Sequence, residues 1–350
     1  MKLNENKLYL EDIQYISSLP LPWNKLQDSS ILVTGSTGQI GSMFIDVIMY
    51  KNINDTLNCK IVALARTQER IIDRFSYCID SPYFSYICTD ISSPLKTDYK
   101  IDYLLHLASN THPLLYSNQP ISTITTNILG LKNILDLSVI KKAKRIIFAS
   151  SNEIYGENRG DTEYFSEDYC GYINCNSLRA GYTESKRCGE ALCQAYIHEK
   201  KLDIVIPRIT RTYGPTLLMS DSKALSQFLL KALSKENIVL KSDGSQNFSY
   251  LYITDTISGL FTVLLKGING QAYNISDSHS DITLKALAEY IAKECNLKVI
   301  FELPEIKEKL GYSKVTKALL DNKLLKELGW SAKYDIYSGI TRTLNILREI

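Results

Sequence analysis

The 350-residue sequence predicts an α/β protein in which a doubly wound parallel sheet, covered on both faces, is followed by a smaller C-terminal α/β lobe. Three observations carry this expectation. Short β-branched runs alternate with amphipathic runs from about residue 30 to Pro207, the first run passes through a glycine-rich turn directly into a helical pattern, and beyond Pro207 the alternation loosens. Strand, helix, strand, helix requires crossover connections, and crossovers pair strands in parallel with helices on both sides. The expected organisation is an N-terminal extension over 1–29, a sheet domain over 30–207 and a second lobe over 208–350, with some chain crossing back to the sheet.

In chain order, strands are expected at Ile31–Thr34, Lys60–Leu64, Phe84–Cys88, Tyr103–Leu107, Arg145–Ala149 and Asp203–Pro207. Between them Ile40, Met43, Phe44, Val47 and Ile48 recur at helical spacing, as do Ile124, Ile128, Leu131 and Leu135, and later Cys188, Ala191, Leu192 and Ala195. Past Pro207, glycine and proline punctuate the chain at Tyr213-Gly214-Pro215, Asp243-Gly244 and Gly267 to Gly270. Helices are expected at Ala224–Leu233, Thr256–Lys266, Leu284–Lys293 and Asp335–Arg348, with short strands at Ala272–Ile275 and Lys298–Phe301.

Composition narrows the function classes. Forty Lys and Arg against 38 Asp and Glu give a formal charge of +2, which does not mark a general binder of nucleic acid or membrane surfaces, so an anionic ligand must be held locally. The eight cysteines form no CxxC pair and no His stands at metal-ligand spacing, which predicts reduced packing thiols and no metal site. The first thirty residues carry charges throughout and no apolar run long enough for a signal peptide or membrane span, so a cytoplasmic protein is expected.

Immediately after the first strand, TGSTGQIG spaces Gly35, Gly38 and Gly41 three apart at the mouth of a helix. Without Cβ atoms these positions allow a tight turn and close approach of backbone to a pyrophosphate, whose charge is favoured by the helix N-terminus. The expected domain is therefore a Rossmann-type NAD(P)-binding unit. Its spacing differs from GxGxxG and resembles the TGxxGxxG of the short-chain dehydrogenase/reductases. Where a dinucleotide-binding strand ends in an acid for the ribose hydroxyls, this chain has Leu64-Ala65-Arg66-Thr67, and Arg66 suits a 2′-phosphate better than a free hydroxyl. NAD or NADP is expected, with Arg66 favouring NADP.

GYTESKR puts Tyr182 and Lys186 four residues apart, on one face at the head of a helix. A free phenol with a pKa near ~10 is a poor base at neutral pH, and an adjacent ammonium favours its phenolate. Ser151 follows the fifth strand, so the sheet topology places its hydroxyl at the carboxyl edge, where it can bond the substrate oxygen that Tyr182 deprotonates.

These motifs, with DYLLHLAS (102–109), TTNILG (125–130), SSNEIYG (150–156), RTYGP (211–215) and YITD (252–255), resemble the extended short-chain dehydrogenase/reductases. That branch comprises nucleotide-sugar epimerases, dehydratases and decarboxylases, and the likeness covers nearly the whole chain from about residue 30. It implies cofactor contacts from Thr37, Gln39, Ile40, Asp90, Ile91, Leu107, Ala108, Ser109 and Asn127 beside the three glycines and Arg66, with Tyr182 and Lys186 at the nicotinamide. It implies substrate contacts from Ser109, Asn152, Arg179, Arg211 and Phe248, and a homodimer through a four-helix bundle built from the helices at 123–140 and 183–199. The implied chemistry is transient oxidation at C4 of a sugar carried on a nucleoside diphosphate.

The later steps separate the members. Dehydratases of the branch read Thr-Asp-Glu where this chain reads Ser151-Asn152-Glu153, and decarboxylases read Thr-Ser-Glu. Asn152 cannot deliver a proton to a leaving oxygen, whereas Glu153 keeps the carboxylate that acts near C5. RAGYTESKR further resembles the decarboxylase pattern. Decarboxylation or dehydration is therefore expected over the alternatives, a C4 epimerase or an NADPH-dependent ketosugar reductase, and over a catalytically silent nucleotide-binding module. GSQNFSYLYITD departs from the family's GSQTRSFQYVSD by placing Phe248 where an Arg contacts the diphosphate, and Arg211 replaces the Asn of FNTYG. Three readings stay open: Arg211 compensates for the lost Arg, the anionic group is bound elsewhere with Arg179, Arg187 and Arg208 as candidates, or the substrate is not a standard nucleotide sugar.

Overall fold

The computed structural model describes residues 1–110, 118–302 and 315–350. Its first sheet begins with β1 (Ser30–Thr34), β2 (Lys60–Ala65), β3 (Phe84–Cys88), β4 (Tyr103–His106), β5 (Arg145–Phe148), the two-residue β6 (Ser150–Ser151) and β7 (Ile204–Ile209). The chain then forms β8 (Arg211–Tyr213), β9 (Ile238–Leu240), β10 (Asn247–Tyr252), β11 (Ala272–Ile275), β12 (Asp281–Thr283), β13 (Val299–Phe301) and β14 (Lys317–Ala318). The order across the first sheet is β11-β7-β5-β4-β1-β2-β3, all parallel, with β6 on β7. The winding reverses between β1 and β4, which opens a crevice at their carboxyl ends.

Alternation along each strand sorts side chains to the two faces. Ile31, Val33, Ile61, Ala63 and Leu105 face one core with α1 (Lys7–Ser17) and α2 (Gln39–Asn54). Leu32, Val62, Leu64 and Leu104 face the other. The helices continue as α3 (Gln68–Phe75), α4 (Pro120–Lys141), α5 (Ala180–Lys200), α6 (Ala224–Leu233), α7 (Ile253–Lys266), α8 (Leu284–Glu294), α9 (Lys323–Glu327) and α10 (Ile336–Glu349). The second face is covered by α4 and α5, which pack on each other. On the first, α7 lies against α2, where Phe44 and Phe261 stack with ring centroids 4.3 Å apart.

The N-terminal segment, expected as an extension, is part of this core. Tyr9, Ile13 and Ile16 of α1 are buried, and Asp12 is fully enclosed among Tyr252, Tyr334 and Arg342.

Two further expectations need correction. On α5 the stripe Cys188, Ala191 and Ala195 is exposed, and the buried face is Tyr182, Thr183, Ser185, Lys186, Gly189 and Cys193. Small residues there let the sheet come close, for a Cβ on Gly189 would stand 2.5 Å from the Phe148 ring. All eight cysteines are free, but only Cys59, Cys78 and Cys193 are buried, so packing does not account for the exposed Cys88, Cys170, Cys175 and Cys188.

The second lobe is built on β10, which pairs with β8, β12 and β14, and on the pair β9–β13. No described helix is long and apolar enough to cross a membrane.

Candidate active site

A cleft of about 1390 Å³ runs along the carboxyl edge of the first sheet and under the second lobe. Its floor is the glycine turn. Gly35 adopts φ +66°, and a Cβ there would lie 3.0 Å from the Ala108 amide nitrogen, so the turn and the β4 loop touch backbone to backbone. At Gly41 a Cβ would stand 2.5 Å from the Gly35 carbonyl oxygen. Thr34 ties the two strand ends together: its Oγ1 accepts from the amides of Leu107 and Ala108, both at 3.1 Å. With its acceptor sites so used, the hydroxyl donates to His106 Nδ1 at 2.9 Å. Burial pushes His106 down to about 3, so the ring stays neutral beneath the turn.

This floor fits a dinucleotide. No side chain caps the first turn of α2, whose amides therefore remain for an anion, and among the described residues the buried Gln39 Nε2 has no hydrogen-bond partner. Thr37, Gly38, Ile40, Arg66, Asp90, Ile91, Leu107, Ala108 and Ser109 line the same wall. Hydrogen bonds from the Ser92 hydroxyl and amide hold the Asp90 carboxyl below the usual carboxylate range, and the Arg66 charge adds to this. Asn127 departs from its expected place. It is buried behind the wall, accepting from Ser109 Oγ at 2.7 Å and donating to Ser185 Oγ at 2.8 Å, so it orients Ser109 rather than lining the cleft.

Ser151, Asn152, Glu153, Arg179, Tyr182 and Lys186 all line the cleft beyond this floor. β6 pairs with β7 at Ser151↔Ile209, which sets Ser151 past the end of β5. Ser151 Oγ accepts from the Glu153 amide at 3.2 Å, capping a short 3-10 turn that turns Glu153 into the cleft. Arg179 Nη2 donates to both Glu153 oxygens, at 2.7 and 2.9 Å. Lys186 Nζ donates to the Ala149 carbonyl at 2.8 Å and lies 6.0 Å from the Tyr182 ring centroid. Burial pushes this ammonium down to about 8, with Glu190 opposing.

In the second lobe Arg211 and Phe248 sit on the paired strands β8 and β10, and the guanidinium lies 3.7 Å over the ring. Both line the cleft. Arg187 and Arg208 do not. Arg187 donates to the carbonyls of Ile154 and Gly171, and Arg208 pairs with Glu190, so both serve the scaffold. Sequence reasoning missed Arg70, which lines the cleft with Arg66 and follows it by one helical turn's spacing, a signal that was available. It also missed Lys241, for which nothing in the local pattern gave a sign.

Comparison with known proteins agrees with this geometry. A family model described as the NAD dependent epimerase/dehydratase family matches residues 31–276. UDP-glucuronic acid decarboxylase 5 of Arabidopsis thaliana is 30% identical over 331 residues, covering 93% of this chain and 91% of that protein. UDP-glucuronic acid decarboxylase 1 of Xenopus tropicalis is 27% identical over 322 residues, covering 91% and 72%. Among solved structures, UDP-glucose 4-epimerase of Thermotoga maritima aligns with a TM-score of 0.79 at 22% identity, covering 91% of this chain and 99% of that one. The NAD complex of dTDP-glucose 4,6-dehydratase from Bacillus anthracis aligns at 0.77 and 20% identity, covering 92% and 97%. With more than half of its length matched by the family model and its cleft built on that family's glycine turn, the chain belongs to the NAD dependent epimerase/dehydratase family.

Proposed function

We propose that the chain remodels a nucleotide-activated sugar by transient oxidation at C4 with bound NAD or NADP, and that it goes on to decarboxylation at C6. The observation that carries this reading is that Ser151, Tyr182, Lys186 and the Glu153–Arg179 pair line one cleft with the glycine turn. Bound in that cleft, the nicotinamide supplies a reversible acceptor for the C4 hydrogen. Tyr182 takes the C4 hydroxyl proton, and the Lys186 ammonium favours the phenolate that does so. Ser151 donates to the same oxygen.

A ketone at C4 makes a C6 carboxylate a β-keto acid. Its C5–C6 bond breaks as carbon dioxide leaves, the electron pair enters the C4–C5 enolate, and a proton returns to C5. Glu153, held by both oxygens on Arg179, stands at hand to relay that proton from water to C5. Asn152 has no proton to give a leaving C6 hydroxyl, which disfavours dehydration. The decarboxylase relatives support the same direction. At the far end, Arg211 seated on Phe248 takes the diphosphate that an Arg at 248 would hold. Arg66 and Arg70 at the adenosine end favour a 2′-phosphate, hence NADP.

A second copy is proposed on the α4–α5 pair, where Ile121 and Ile140 of α4 are 78% and 73% exposed and Cys188, Ala191 and Ala195 of α5 face outward. Light scattering tests it, and a monomeric wild type would refute it.

Incubating the protein with UDP-, dTDP-, GDP- and CDP-sugars, uronates included, and following products by mass tests the activity. Loss of carbon dioxide from a uronate is expected. Loss of water, or an epimer of unchanged mass, refutes decarboxylation, and product formation by Tyr182→Phe refutes the site. Comparative titration with NAD and NADP tests the cofactor, and tighter binding of NAD overturns the NADP reading.

A further inference from the structure

Behind Tyr182 runs a chain of charges that the steps above do not use. Glu190 lies one turn beyond Lys186 on α5, so the two share a face. Its carboxylate is held from three directions. Ser150 Oγ donates to Oε1 at 2.5 Å, Arg208 Nε donates to Oε1 at 3.0 Å, and Arg208 Nη2 donates to Oε2 at 2.7 Å. Arg208 is itself anchored, donating from Nη1 to the Tyr155 hydroxyl at 3.0 Å and to the Glu167 carbonyl. Tyr155 in turn donates to Asn274 Oδ1 at 2.5 Å, on the edge strand β11. The glutamate side chain is 14% exposed, and both of its oxygens are engaged.

A buried ion pair of this kind adds little net stability compared with apolar packing, so stability gives no account of its place one turn from Lys186. Lys186 sits in a pocket hostile to its charge, walled by the Phe148 ring at 5.1 Å and fully enclosed. The titratable groups facing it are His106 from β4 and Tyr182, Glu190 and Cys193 from its own helix, with Arg208 of β7 bonded to Glu190. His106 stays neutral because burial pushes it down, and the Cys193 thiol stays neutral because burial pushes it up. Glu190 is therefore the negative charge of this group, and it is shared with the Arg208 guanidinium that pairs with it.

We propose that Glu190, clamped by Ser150 and Arg208, is a positioning residue that keeps Lys186 an ammonium beside Tyr182. The catalytic consequence rests on the proposed role of Lys186 as the cation that serves the phenol. The Glu190→Gln variant keeps the shape and removes the charge. Titrating the Lys186 side chain by its Cε carbon resonance in the full-length protein, assigned by difference from Lys186→Arg, reads the ammonium directly and needs no substrate. The wild-type midpoint is expected at about 8. In Glu190→Gln it is expected about 1 unit lower, a tenfold loss of ammonium at a given alkaline pH. The alkaline limb of kcat/KM is expected to move by the same amount. Glu190→Asp, which withdraws the charge by one methylene, should shift the midpoint less and in the same direction, and it serves if the Gln variant does not fold. An unmoved midpoint in the folded variants overturns the inference. A moved midpoint with an unmoved rate profile upholds the influence of Glu190 on the ammonium and refutes the catalytic role of Lys186.

Discussion

Replacing Asp12 by Ala removes the acceptor on which three distant parts of the chain converge. Asp12 is fully buried on α1; its Oδ2 accepts from the Tyr252 hydroxyl at 2.7 Å, and its Oδ1 from the Tyr334 hydroxyl and Arg342 Nε, both at 2.9 Å. The substitution strands two hydroxyls and a guanidinium whose side chain is 15% exposed. Removing one partner of a buried ion pair costs about 3–5 kcal/mol. Arg342 retains Glu11 at 3.1 Å and the Leu8 carbonyl, so the loss falls toward the low end, about 3 kcal/mol. Against a total stability of roughly 5–15 kcal/mol that is a large fraction. In urea, followed by circular dichroism and by Trp23 and Trp330 fluorescence, the midpoint should fall by about 1 M for a slope near 3 kcal/mol/M, with the slope unchanged. Arg342→Met should be costly too, and the double variant should lose less than the sum, because each single change leaves the other partner buried alone. A midpoint equal to that of the wild type, or strictly additive losses, would refute the assignment of α1 to the folded core.

Three further outcomes are expected. Gly41→Ala forces a Cβ to within 2.5 Å of the Gly35 carbonyl oxygen, so the turn must shift, and calorimetry should find dinucleotide bound at least about tenfold more weakly, a loss of about 1.4 kcal/mol. Phe248→Ala removes the ring under the Arg211 guanidinium, a contact worth about 1–2 kcal/mol, so affinity for UDP should drop about 5–30-fold, and undiminished binding would exclude the proposed phosphate clamp. Burial raises Asp255 to about 7, so the folded state keeps a proton that the unfolded chain releases at about 4. Its contribution to stability is complete below the lower value, declines as pH rises through the higher one and is absent above it. Denaturation midpoints measured across this window should show that decline in the wild type but not in Asp255→Asn.

Local pattern located most elements because each rule it uses acts over a few residues. Ala224–Leu233 was expected at those bounds, and β1, β2 and β7 were found within one or two residues of expectation. α7 begins three residues before its expected Thr256, since β10 runs directly into it and Tyr252-Ile253 reads equally well as strand. The outward stripe of α5 was misassigned because periodicity finds an apolar face without saying what lies against it. The side chosen by the fold carries Tyr182 and Lys186, which the cleft requires, and Gly189, which Phe148 requires.

The sequence by itself determined the strand–helix alternation, the glycine turn and the Tyr182–Lys186 pair, because these depend on spacings no longer than a helical turn or a tight loop. Tertiary structure alone decided that Glu153 meets Arg179, that Phe248 lies beneath Arg211, that Glu190 is clamped by Arg208, and that α1 inserts Asp12 into the core. Each of these contacts joins residues many positions apart in the chain. Their partners are chosen by how the sheet winds and which helix faces pack, and no local periodicity records that choice.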